Sequence, residues 1–141
     1  MLNLRSMKHP NSFPLAEHLK SKTIIDKVYT EGASVTAYPL RAVFLTMPIK
    51  EKQPLATILI SVAKKRFRHA VDRNLVKRRL REAYRLNKQP FIEELEKSGK
   101  CMAIAILYID TKHNNTAFLK SKMKKLLGNI LEKERKICEN S

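Results

Sequence analysis

Arg73, Asn74, Lys77, Arg78, Arg81 and Arg85 recur three to four residues apart, a spacing that gathers them in one sector of an α-helix. Guanidinium and ammonium groups so arranged bind phosphate; they do not make or break bonds. They belong to a denser run. Between Lys64 and Lys88 eleven Lys/Arg residues stand against only Asp72 and Glu82, a net of +9 over 25 residues. Basic runs usually denote disordered tails, but here Val71, Leu75, Val76, Leu80, Ala83, Tyr84 and Leu86 are interleaved, enough apolar surface to dock an ordered helix. Like charges at i,i+4, as in Arg73/Lys77/Arg81/Arg85, repel one another and destabilise a helix unless an anion compensates. A polyanion is the simplest compensation. The preceding connection, with Lys64, Lys65, Arg66 and Arg68, leads into the helix N-terminus, where free N–H groups and the dipole also favour phosphate.

Other chemistry is poorly represented. Metal-dependent nucleases need converging carboxylates, whereas the acidic residues are scattered and Asp72 sits among cations. His69 adjoins the helix start, but a solvated or phosphate-contacting histidine is the plainer reading than a general base; His9, His18 and His113 are isolated. There is no Gly-rich phosphate loop, nucleophile elbow or metal-ligand spacing. Cys101 and Cys138 lack a CxxC or CxxH partner and are expected to be reduced thiols in a cytoplasmic protein. No apolar run reaches the length of a membrane span, and the basic helix, with Arg79 on its apolar side and no Trp in the chain, is poorly suited to a membrane surface. The net charge of +16 favours a polyanionic partner.

These residues need a scaffold, and 141 residues suffice for one domain with a real core. Residues 1–17, with Pro10 and Pro14, are expected to be a poorly ordered extension, and 138–141 a short tail. Helical periodicity runs from Leu19 to Glu31, with Ser21 as N-cap and Gly32 as terminator. Ser34 to Met47 reads as one strand or two joined near Pro39, Pro48 to Pro54 as a polar turn, and Leu55 to Val62 as a buried strand. The basic helix spans Val71 to Asn87. Pro90 is expected to break it, with a short helix at Phe91–Lys97 ending at Gly99. Cys101 to Ile109 is a central strand, and Ala117 to Ile137 a closing helix with Leu119, Met123, Leu126, Ile130 and Ile137 along one seam. The expected fold is α+β, in the order α-β-β-β-α-β-α, a two-layer sandwich.

The arrangement K-K-x(4)-A-V-x-R-N-x-x-K-R-x-x-R-E, carried by Lys64-Lys65, Ala70-Val71, Arg73-Asn74, Lys77-Arg78 and Arg81-Glu82, resembles the signature of the protein subunit of bacterial ribonuclease P. The element order is similar too, over roughly residues 18–137. The resemblance implies a ribosomal-protein-like fold whose β-α-β crossover, unusually left-handed in that family, displays the basic motif. It also implies a non-catalytic role within an endoribonuclease. The RNA subunit, with Mg²⁺ held mainly by it, would cleave precursor tRNA, and no metal would be bound by the protein itself. Lys64, Lys65, Arg66, Arg68, Arg73, Asn74, Lys77, Arg78, Arg81 and Arg85 would face the catalytic RNA. Ile25, Tyr29 and Phe44 would line a cleft for the single-stranded 5′ leader of precursor tRNA, where aromatic faces stack on bases without strong sequence preference. The partners would be these two RNAs, with no stable protein partner and no membrane. Departures from the family pattern are Leu75 where an Arg is frequent, Thr57 and Leu59 where an Arg and a Gly precede the signature, and Ile25 at a commonly aromatic position. Phe13, Phe44 and Phe67 are candidates to compensate in the cleft. A general RNA-binding protein, such as a ribosomal protein or RNA chaperone, fits charge and element order equally; only the ordered motif separates the two.

Overall fold

The structure, a computed structural model, describes residues 18–48 and 54–139. The expected 1–17 extension, most of the polar turn and the last two residues of the tail lie outside the described residues. The elements are α1 (Lys22–Glu31), β1 (Ala33–Ala37), β2 (Leu40–Pro48), β3 (Ala56–Val62), α2 (Ala70–Ser98), β4 (Lys100–Tyr108) and α3 (Thr116–Glu139). The α+β class and the element order are those read from the sequence. The apolar stretch around Pro39 is two strands, a hairpin whose turn carries a cis Tyr38–Pro39 bond.

The four strands are ordered β1-β2-β4-β3, with β3 and β4 parallel and the other pairs antiparallel. Strand pleating sends alternate side chains to opposite faces. Phe44 of β2, Ile58 and Ile60 of β3, and Ile104 and Ile106 of β4 meet α2 and α3 in the main core. The other face carries Val43, Ala103 and Ala105 against Val28 of α1, with Ile24, Ile25 and Leu45 half-buried around them. The sandwich of sheet and helix pair thus gains partial cover from α1, whose contacts are chiefly with β2 and β4. Beyond that footprint, Thr57, Leu59 and Ser61 of β3 point to the same face and stay half-buried. The chain enters along the outer edge of β3, where Leu19 N–H donates to Ile58 O at 2.8 Å.

Ser21 caps α1 as expected, its Oγ accepting from Ile24 N–H at 3.4 Å. Gly32 follows the helix, but not for a left-handed turn: its φ is −77°. A Cβ there would lie 2.4 Å from Val28 O and 2.6 Å from Phe44 O, so only glycine lets the chain turn this close to β2. Gly99, with φ 71°, does end α2 in the left-handed conformation.

The expected break at Pro90 does not occur; α2 is one 29-residue helix with Pro90 inside it. Proline there forfeits one backbone hydrogen bond and crowds the carbonyl a turn earlier. Packing on both sides outweighs that cost. Phe91 and Leu95 downstream are buried in the core, and Asn87 upstream donates from Nδ2 to Lys120 O at 2.8 Å, fastening α2 to α3.

Candidate nucleic-acid interface

The cationic residues come together on the N-terminal half of α2 and the loop before it. Val76, Leu80, Ala83 and Tyr84 are buried against the sheet and α3, which turns Asn74, Arg78 and Arg81 outward as exposed side chains, with Lys77 half-buried beside them. In the loop Lys64, Lys65 and Arg68 are exposed and Arg66 is half-buried. His69 takes the N-cap position without a side-chain capping bond, and its carbonyl accepts from the N–H groups of Asp72 at 3.1 Å and Arg73 at 3.2 Å.

Three cations behave differently from the helical-wheel expectation. Arg73 is half-buried, and its Nη1 donates to the carbonyls of Phe67 at 2.8 Å and Arg68 at 3.0 Å. Arg85 grips Glu82 with two bonds, Nε–Oε1 at 3.0 Å and Nη2–Oε2 at 2.5 Å, which holds the Glu82 carboxyl below its usual pKa. Lys88, at the end of the charged sector, is only 5% exposed and lies off the surface. Arg79, on the apolar side, donates to Asn114 O at 3.0 Å and ties α2 to the segment before α3. Conversely Val71, counted among the docking residues, is 78% exposed at the helix start.

The loop is anchored from below by Phe67, 7% exposed, whose ring lies 5.9 Å from Tyr108 and 4.8 Å from His113. Phe67 is therefore core and does not serve the cleft. His113 Nε2 lies 3.4 Å from Asp72 Oδ1, joining the β4–α3 segment to the first turn of α2. That segment is itself braced by Asn114, which donates to Tyr108 Oη at 2.6 Å and to Asp110 Oδ2 at 3.2 Å.

The second predicted site is only partly assembled. Ile25 and Tyr29 sit four residues apart on one flank of α1; Ile25 is half-buried on the sheet, and Tyr29 is 45% exposed, with partial burial raising its phenol pKa. Phe44 is a correction. It is 2% exposed and points into the α2/α3 core, on the face of the sheet opposite α1. Its neighbours Val43 and Leu45 take the α1 side. The floor that sequence reasoning missed is β3's Thr57, Leu59 and Ser61. Near the N-terminus of α1 the surface deepens into a pocket of about 380 Å³ between Leu19, Ile24, Met47, Thr57 and Cys101. Phe13 lies outside the described residues. Among the described residues no group of three or more His, Cys, Asp or Glu is placed to hold a metal, and no helix is long and apolar enough to cross a membrane.

Known proteins share this sequence and fold. The Ribonuclease P family model matches residues 13–131. A ribonuclease P protein component from Porphyromonas gingivalis is 37% identical over 126 residues, spanning 88% of this chain and 91% of the relative. One from Chlorobium phaeobacteroides is 32% identical over 131 residues, spanning 86% and 90%. The solved structure of the Staphylococcus aureus RNase P protein shares the fold at a TM-score of 0.59 and 21% identity, covering 81% of this chain and 94% of that one. The chain belongs to the ribonuclease P family and is a protein subunit of that tRNA-processing ribonucleoprotein.

Proposed function

We propose that two surfaces divide the work of this subunit. Association with the ribonuclease P RNA follows from the family; our reading gives it to the N-terminal half of α2 and the loop before it, through Lys64, Lys65, Arg66, Arg68, Asn74, Lys77, Arg78 and Arg81. The sheet face beside α1 receives the single-stranded 5′ leader of precursor tRNA, with Tyr29 as a stacking platform, Ile25 beside it and the β3 side chains as floor. Hydrolysis, and the Mg²⁺ that drives it, belong to the RNA subunit; the protein raises precursor affinity and screens phosphate charge.

The observation that supports the leader assignment is the stretch of sheet beside α1 where Thr57, Leu59 and Ser61 remain half-buried and, among the described residues, α1 packs chiefly on β2 and β4 rather than on β3. The test is reconstitution with the catalytic RNA at low Mg²⁺, using precursor tRNAs whose leaders are shortened stepwise. The affinity gained on adding the protein should shrink with the leader and vanish for mature tRNA, and the protein alone should cleave nothing. Equal gains with and without a leader would refute leader binding.

A further inference from the structure

Arg73 turns its guanidinium back onto the loop that carries the other cations. It projects from the first turn of α2, and a single nitrogen bridges two successive carbonyls of the preceding loop, Phe67 O at 2.8 Å and Arg68 O at 3.0 Å. That loop has little else to shape its backbone. Arg66 N–H donates to Ala63 O at 3.0 Å and Phe67 N–H reaches the same carbonyl at 3.5 Å. Meanwhile Lys64, Lys65, Arg66 and Arg68 repel one another, which favours a splayed and mobile loop in the free protein. Phe67 opposes this from the core side, wedged between Tyr108 and His113. Arg73 opposes it from the helix side. We propose that Arg73 is a positioning residue, clamping the Phe67 and Arg68 carbonyls so that Lys64, Lys65 and Arg68 are already presented to the catalytic RNA before it binds.

The inference rests on the reading of this surface as the RNA interface and goes beyond it in separating two roles for cations that look alike in sequence. A phosphate contact needs only charge, which lysine supplies. The clamp uses one Nη1, which the rigid guanidinium plane holds at the end of a longer side chain than lysine's, so a lysine ammonium does not come to the same point between the two carbonyls. Arg73→Lys therefore keeps the charge and removes the clamp. A loop ordered only on binding costs affinity without changing how many phosphates are finally contacted.

The experiment measures binding of the full chain to the catalytic RNA across a salt series, with amide hydrogen exchange on the free protein. Arg73→Lys is expected to weaken binding about tenfold or more, the scale of lost hydrogen bonds to a charged group. The log–log salt slope should stay at the parental value, and exchange at residues 66–68 should accelerate while β4 is unchanged. Phe67→Leu, which removes no charge, is expected to repeat that pattern from the other anchor and serves if Arg73→Lys folds poorly. The Lys64→Ala/Lys65→Ala double variant should behave oppositely, lowering the slope by roughly 0.7–0.9 per residue with exchange at residues 66–68 no faster than in the parent. If that double variant weakens binding but Arg73→Lys binds and exchanges like the parent, Arg73 is no clamp. If the double variant leaves affinity and slope unchanged, the interface reading itself falls, and the inference with it.

Discussion

Replacing Phe44 with Ala separates the core from the leader groove. The side chain is 2% exposed and packs among the apolar residues of the sheet, α2 and α3. Truncating such a phenylalanine costs about 3–5 kcal/mol through lost burial and a residual cavity. At about 2–5 °C per kcal/mol for a domain of this size, the melting temperature should fall by roughly 6–25 °C. For a parental stability above about 6 kcal/mol, within the usual range of about 5–15 kcal/mol, most of the protein stays folded at 20 °C, so binding can be measured there. The assay compares Phe44→Ala with Tyr29→Ala by thermal melting and by affinity of the reconstituted holoenzyme for precursor and mature tRNA. Tyr29→Ala should melt near the parental temperature yet lose about 1–3 kcal/mol, roughly 5- to 150-fold, of precursor affinity alone. Phe44→Ala should melt early and bind both tRNAs as the parent does at 20 °C. A parental melt with selective loss of precursor binding in Phe44→Ala would refute its placement on the α2/α3 face. Equal weakening of both tRNAs by Tyr29→Ala would remove Tyr29 from the groove.

Gly32→Ala should destabilise the protein by about 1–3 kcal/mol in urea titration, because the new Cβ meets backbone carbonyls that cannot step aside. Pro90→Ala should raise the melting temperature by restoring a helix-interior hydrogen bond, a gain of about 1–3 kcal/mol against a penalty that packing now offsets. Burial opposes ionisation of Asp110, but hydrogen bonds from Asn114 and the N–H groups of Lys112 and Thr111 prevail and hold its pKa low. Its stabilisation is therefore complete above the unfolded carboxylate value of about 3.9 and fades as pH falls through the lower folded value. Melting profiles of Asp110→Asn and the parent should accordingly differ at neutral pH and converge in acid.

The scaffold was legible where side-chain pattern and geometry have a single solution. The stripe of Val76, Leu80 and Ala83 forced the charged sector of α2 outward, and the Ser21 and Gly99 signals marked true helix ends. Phe44 was misread because β2 is apolar on both faces: alternation separates its two sets of residues but gives no polarity to say which set meets α1. The floor of the groove is the reverse case, since Thr57, Leu59 and Ser61 carry no shared chemistry and become a surface only when α1 stops short of β3. Pro90 misled because local propensity was weighed without the tertiary anchors at Phe91 and Asn87. The inward turn of Arg73 had no sequence signal; it depends on where the loop's carbonyls fall.

The position of β4 between β2 and β3 also has a consequence for biosynthesis. β4 is the last strand made, and β3 has no strand to pair with until it arrives. A nascent chain that has reached Ser98 holds the hairpin, a β3 met only at Ile58 by the entering chain, and the whole basic helix, but not the strand that joins them. Such an intermediate bares strand edges and apolar surface while carrying most of its cationic face, a combination prone to premature association. Because sheet closure waits on a long-range parallel pairing, folding should be slow for the chain's length, and fragments ending before Cys101 should aggregate rather than fold.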